Sequence, residues 1–199
     1  MNLSVVLENF VGRLQQLFRR NKNPRHLLLE KMPKGSVCAE IGVWKGDFSD
    51  LILDMASPKT LHLIDPWEFQ SEFSERMYGG SVARSQRDMD LIYEGVRNRF
   101  GECRNIIFNR GKSEKVLYEF PDDYFDWVYI DGNHYYDYVL KDLEACFLKV
   151  KPGGIIAGDD YTWGEQDDYP VRRAVRDFIA AKSLKNNLKV LDSQFYIKL

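Results

Sequence analysis

Hydrophobic positions change period along the chain. Over the first twenty residues Leu3, Leu7, Phe10, Leu14 and Leu17 recur at steps of four and three. That spacing predicts one apolar stripe on a helix, and Arg19, Arg20 and Lys22 gather at its C-terminal end, where the helix dipole favours cations. The stripe suits packing on the body of the domain, a homodimer contact or a membrane-surface helix. Asn23-Pro24 interrupts it, and Pro24 can open a second, short helix through His26-Leu27-Leu28-Leu29. From residue 35 the pattern shortens to buried runs. Ser36 to Gly42 reads as a strand ending in a glycine turn, followed by a helix over Asp47 to Met55. Thr60 to Asp65 is a second strand, stopped by Pro66.

Residues 66–84 have no clean period but carry Trp67, Phe69, Phe73 and Tyr78. A helix from about Ser85 to Phe100 follows, with Ser85 as its cap. Next come strand Asn105 to Phe108, a short helix over Ser113 to Glu119, strand Phe125 to Asp131, and a helix near Asp137 to Val150. Lys151-Pro152-Gly153-Gly154 reads as a tight turn into strand Ile155 to Asp159. A last helix, Val171 to Ala181, precedes two strands, Leu188 to Leu191 and Phe195 to Ile197. Repeated strand–helix units predict a parallel sheet covered on both faces, because parallel neighbours need a crossover. The final pair is separated only by Asp192-Ser193-Gln194 and must be an antiparallel hairpin at one edge. The expected fold is α/β and doubly wound. Residues 1–34 supply extra N-terminal helices and 35–199 the domain proper.

Composition narrows the class. In 199 residues, 28 Lys and Arg stand against 30 Asp and Glu, for a net charge of −2, and 44% of positions are hydrophobic. One domain with a real core is expected, without the basic footprint of a nucleic-acid binder. Cys38, Cys103 and Cys146 are far apart and form no CxxC pair, which suits a reducing cytoplasm and no disulfide framework. No run of 18 apolar residues predicts a membrane span, and the N-terminus does not read as a signal peptide.

Open parallel sheets bind ligands beyond the carboxyl ends of their strands. Acids gather there in this chain: Glu40 on the first strand, Asp65 on the second, Asp131 on the fourth, Asp159 and Asp160 on the fifth. Gly42 lies in a strand-to-helix turn that either needs positive φ or admits a ligand against the backbone. Asp65 can accept hydrogen bonds from a ribose diol or serve as a turn carboxylate. The third glycine of GxGxxG is missing, which disfavours a dinucleotide and a nicotinamide-dependent oxidoreductase.

The Glu40-Ile41-Gly42 turn and Asp65 resemble the first motif and ribose-binding acid of class I S-adenosylmethionine-dependent methyltransferases. The order of elements resembles that family's mostly parallel seven-stranded, Rossmann-like sheet with an antiparallel C-terminal hairpin. Three further segments are more specific: Tyr129-Ile130-Asp131-Gly132-Asn133-His134-Tyr135, Leu148-Lys149-Val150-Lys151-Pro152-Gly153-Gly154 and Gly158-Asp159-Asp160-Tyr161. They are similar to the DGxHxY, PGG and DDY pattern of the branch containing macrolide-sugar O-methyltransferases and cephalosporin-hydroxylase-like proteins.

The resemblance implies S-adenosylmethionine bound by Glu40, Gly42, Asp65, Ser113 and Asp131. It implies Mg²⁺ held by Asp131, Asp159 and Asp160, and His134 as general base. Three converging carboxylates would indeed repel unless splayed, protonated or neutralised by a cation. Mg²⁺ suits hard oxygen ligands and lowers the pKa of a coordinated alcohol. The substrate is then a small-molecule hydroxyl acceptor such as a sugar or polyol. Structural alternatives stay open: Ser113 as a helix cap, Asp159-Asp160 as a turn pair, His134 as a loop histidine. Trp67 to Tyr78, with Tyr161 and Trp163, reads as a lid and substrate wall, and Arg76, Arg84 and Arg87 as solvated charges. Rival functions are a metal-independent methyltransferase and a non-catalytic cofactor-binding module. His26 and His62 are assigned no chemistry.

Overall fold

The computed structural model describes residues 23–71 and 83–199. The apolar stripe from Leu3 to Leu17, with its suggested dimer or membrane contact, lies outside the described residues, as do Phe73, Arg76 and Tyr78. Described elements run α1 (Pro24–Leu29), β1 (Val37–Ile41), α2 (Asp47–Ala56), β2 (Thr60–Asp65), α3 (Gln86–Phe100), β3 (Ile106–Arg110), α4 (Ser113–Val116), β4 (Phe125–Ile130), α5 (Tyr136–Lys149), β5 (Val150–Gly158), α6 (Pro170–Ala181), β6 (Leu188–Leu191) and β7 (Gln194–Lys198).

Local signals set the helix starts. Asn23 caps α1, its side chain accepting from the Arg25 N–H at 3.0 Å, and Pro24 takes the first helical position, where a missing N–H costs nothing. Ser85 caps α3 by accepting from the Asp88 N–H, while Asp88 accepts in turn from the Arg84 N–H and the Ser85 hydroxyl.

The seven strands form one sheet in the order β3-β2-β1-β4-β5-β7-β6. β3, β2, β1, β4 and β5 are parallel, and β7 inserts antiparallel between β5 and β6. Alternation along each strand feeds two cores. Val128, Ile130 and Ile156 pack against α5 and α6 through Leu143, Val175 and Phe178. Trp127, Tyr129, Leu61 and Leu63 face α1, α2 and α3 through Leu28, Phe48, Ile52 and Phe100. Leu28 and Leu29 are buried within that second core, so α1 is part of the domain's interior.

Two expectations are corrected. The Lys151-Pro152-Gly153-Gly154 turn is an irregularity inside β5: pairing with β4 passes from Phe125–Val150 to Trp127–Ile155, so the strand begins at Val150. The proline falls where the register shifts, and an irregularity of this kind is where a strand tolerates one. The third strand starts at Ile106 and runs on to Arg110.

His62 sits mid-β2, 3% exposed, with its ring edge-on to Phe120, Tyr124 and Phe125 and its nitrogens near the Tyr124 hydroxyl and the Asn109 amide. Burial pulls its pKa down to about 4. The folded state excludes the proton that the unfolded state takes up below about 6.5, so stability falls as pH drops from there towards 4. A displacement of that size corresponds to roughly 3 kcal/mol. Denaturant titrations across this range should show the loss in wild type and a shallower slope in His62→Phe; parallel slopes would refute the assignment.

Candidate active site

The carboxyl ends of β2, β1, β4 and β5 are knitted past the formal strand ends. The Gly42 N–H donates to the Ile64 carbonyl at 2.9 Å, the Asp131 N–H to Ile41 at 2.8 Å, and the Asp159 N–H to Ile130 at 3.1 Å. Gly42 has φ +86°, and a Cβ built on it would lie 1.9 Å from the Asp131 carbonyl oxygen. Only glycine lets the β1 turn cross this closely beneath the β4 loop.

Asp65 straps that turn. One of its oxygens accepts from the Val43 and Trp44 N–H groups at 2.9 and 3.0 Å, and the other from the Trp67 N–H at 2.7 Å. The Trp67 indole N–H closes the loop by donating to the Trp44 carbonyl at 2.9 Å. Asp65 is wholly buried, and its oxygens hold the turn through these backbone N–H groups. Glu40 is likewise buried, accepting from the Ser49 hydroxyl at 2.5 Å, and burial raises its pKa well above the carboxylate range.

Asp131 and Asp159 meet a residue of α1. The Arg25 Nη2 lies 2.7 Å from Asp131 Oδ2 and 2.7 Å from Asp159 Oδ2, and its Nε donates to the same Asp159 oxygen at 2.9 Å. The guanidinium carbon stands 5.0 Å over the Phe48 ring, which packs at 4.1 Å on Tyr129. The other Asp159 oxygen accepts from the Ser193 hydroxyl at 3.0 Å, the Asp160 N–H at 2.7 Å and the Gln194 amide. Tyr129 donates its hydroxyl to Gln194 Oε1 at 2.9 Å.

Asp160 has a different partner. β5 has ended by this point, and Asp160 adopts φ +59°. Its Oδ2 stands 3.1 Å from His134 Nε2, which also lies 3.6 Å from Asp131 Oδ1. The Trp163 ring meets His134 edge-on at 5.1 Å. Burial disfavours the imidazolium, but Asp131 and Asp160 outweigh it and raise the His134 pKa, while burial lifts Asp160 to about 6 against the opposing pull of His134.

Ser113 opens α4, but Lys112 occupies the cap position and the Ser113 hydroxyl donates to Asp142 on α5 at 2.5 Å. Asp142 is buried, and burial pushes its pKa up to about 7. The structure thus gathers Asp131, His134, Asp159 and Asp160 at one place, with Glu40 and Gly42 alongside in the neighbouring β1 turn, and pairs Ser113 with an acid that the sequence reading passed over. Arg25, Tyr129, Gln194 and Asp142 were missed. One signal was available for Arg25: a cation in the first turn of a helix opposes the helix dipole, so it is held there by something else.

Residues 39–161 match the family described as a methyltransferase domain. The chain belongs to this methyltransferase family. No curated protein sequence matches it. Among solved structures the O-methyltransferase NovP superposes with a TM-score of 0.60 at 21% identity, covering 90% of this chain and 79% of that one. A SAM-dependent methyltransferase from Aquifex aeolicus gives 0.54 at 16%, covering 88% and 87%. The precorrin 8W decarboxylase of Methanobacterium thermoautotrophicum gives 0.55 at 17%, covering 88% and 89%. At these identities the likeness shows the fold, and methyltransferase membership rests on the family match. Among the described residues no helix is long and apolar enough to cross a membrane.

Because the Gly42 crossing shapes this methyltransferase's β1 turn, Gly42→Ala should cost more than about 2 kcal/mol in denaturant stability and abolish calorimetric binding of S-adenosylhomocysteine. Wild-type affinity in a folded Gly42→Ala protein would remove the turn from the cofactor site.

Proposed function

We propose that the protein is an S-adenosylmethionine-dependent O-methyltransferase acting on a hydroxyl of a small molecule, with His134 as general base. The observation carrying this reading is the placement of His134 Nε2 at 3.1 Å from Asp160, beside the strand ends where this fold receives ligands. Glu40, the glycine turn strapped by Asp65, Asp131 and the Ser113–Asp142 pair line the side proposed for the cofactor. A sugar or polyol acceptor is supported by the Trp163 ring against His134, an aromatic wall suited to stacking on a pyranose face. Residence in the cytoplasm accords with three free cysteines, two of them buried.

S-adenosylmethionine, when bound, supplies a methyl group on a sulfonium that departs as a neutral thioether. The chain's own task is to align and deprotonate the acceptor. With its Nε2–H directed at Asp160, His134 keeps its lone pair on Nδ1, which takes the hydroxyl proton as the oxygen attacks. Asp160 and Asp131 stabilise the imidazolium that forms, and their influence makes His134 a stronger base than a free imidazole. Asn133 cannot take that proton.

The Mg²⁺ site implied by the sequence resemblance requires Asp131, Asp159 and Asp160 to offer oxygens to one point. These residues do not fit it. Both Asp159 oxygens already accept from Arg25, Ser193, Gln194 and the Asp160 N–H, and the Asp160 carboxylate is paired with His134. No step above needs a divalent ion. A second reading has one observation in its favour: ligand atoms of Asp131, His134 and Asp160 lie within 4.8 Å of one another. An ion there would occupy the imidazole lone pair and remove the base, so the two readings exclude each other.

Calorimetry with S-adenosylhomocysteine should give binding to wild type and to His134→Ala alike. Single-turnover methylation of hydroxylated acceptors should slow by about 10²–10⁴ in His134→Ala. Wild-type rates in that variant would sink His134 as the base, and no binding to either protein would sink the methyltransferase reading of the site.

A further inference from the structure

We infer that Arg25 is the resident cation of the Asp131–Asp159 pair, filling the place a divalent ion would take and leaving methyl transfer independent of metal. The inference about turnover rests on the function proposed above; the inference about the cation position does not.

Two carboxylate oxygens from adjacent strand ends converge on one nitrogen, each 2.7 Å from Arg25 Nη2. That convergence on a single point is how a cation is shared between carboxylates. The Nε–Asp159 bond at 2.9 Å fixes the guanidinium plane, and Phe48 covers its face. α1 is anchored to hold it there: Leu28 and Leu29 are 0% and 1% exposed, and Pro24 and the Asn23 cap define the first turn from which Arg25 projects. The helix dipole opposes a cation in that turn, so the carboxylates pay for its position. Among the other Asp159 donors, Ser193 and Gln194 belong to the β6–β7 hairpin and hold this carboxylate beside Arg25.

Removing the charge while keeping the stem exposes the pair. Arg25→Met preserves apolar contact with Phe48 and leaves Asp131 Oδ2 and Asp159 Oδ2 facing one vacated point. A hard cation that takes carboxylate oxygens at about 2.0–2.2 Å can draw both inward. Arg25→Lys keeps the positive charge and should keep the ion out.

The test is Mn²⁺ titration followed by water-proton relaxation, with S-adenosylhomocysteine calorimetry run beside it. Wild type, Arg25→Lys and Asp159→Asn should give the same weak background. Arg25→Met should gain saturable Mn²⁺ binding at least tenfold tighter, and Arg25→Met/Asp159→Asn should lose it again. Wild-type turnover should be equal in Mg²⁺ and in EDTA. Mn²⁺ binding to wild type that Asp159→Asn abolishes overturns the proposal, as does a folded Arg25→Met protein that gains none. Should Arg25→Met not fold by circular dichroism, the comparison of wild type with Asp159→Asn decides alone. Failure of S-adenosylhomocysteine to bind would defeat the functional reading while leaving the metal readout intact.

Discussion

Three carboxylates at the ends of two neighbouring strands set the terms for everything around them. Two unit charges 4 Å apart repel by about 4 kcal/mol at the effective dielectric of a protein surface. Asp131, Asp159 and Asp160 are each mostly withdrawn from water, so the cost must be met locally. The protein meets it twice, with different chemistry. Asp159 and one Asp131 oxygen are held by a guanidinium that never loses its charge. Asp160 and the other Asp131 oxygen face an imidazole that can. The split divides the cluster into a fixed half and a half able to exchange a proton.

The fixed half explains why the surrounding frame is so heavily tied. Gly42 passes under the Asp131 carbonyl, Asp65 straps the turn beside it, and Gln194 and Ser193 clamp Asp159 from the other edge. Each contact holds a backbone or carboxylate in place relative to the same few ångströms. Preorganisation of this kind lets a group there exchange a proton without first reorganising its neighbours.

Much of the frame was legible in the sequence because it follows from period and punctuation. Alternation along Val37–Ile41 and Phe125–Ile130, stopped by glycine or acid, locates buried strands, and the three-residue gap before Phe195 forces a hairpin. The Lys151–Gly154 turn was misplaced because a bulge and a turn share the same residues; only pairing with Phe125 and Trp127 tells them apart. Carboxylates at strand ends pointed to the site, but sequence carries no side-chain direction. Asp159 and Asp160 are adjacent, yet one pairs with Arg25 and the other with His134. Arg25 offered only its unfavourable place in the first turn of α1; its partners lie 106 and 134 residues away, and no local pattern names them. The pairing of Ser113 with Asp142 failed to show for the same cause.

That separation bears on how the chain is made. The acid cluster follows β4 and β5, its guanidinium lies on α1 before them, and its clamp lies at β7 after them. A ribosome therefore releases α1 long before there is anything for Arg25 to hold. β5, once emerged, must wait for Gln194 before Asp159 has its full set of donors. Contacts so distant in sequence close only after β7 has emerged. A growing chain arrested short of β7 would carry the carboxylates without their clamp.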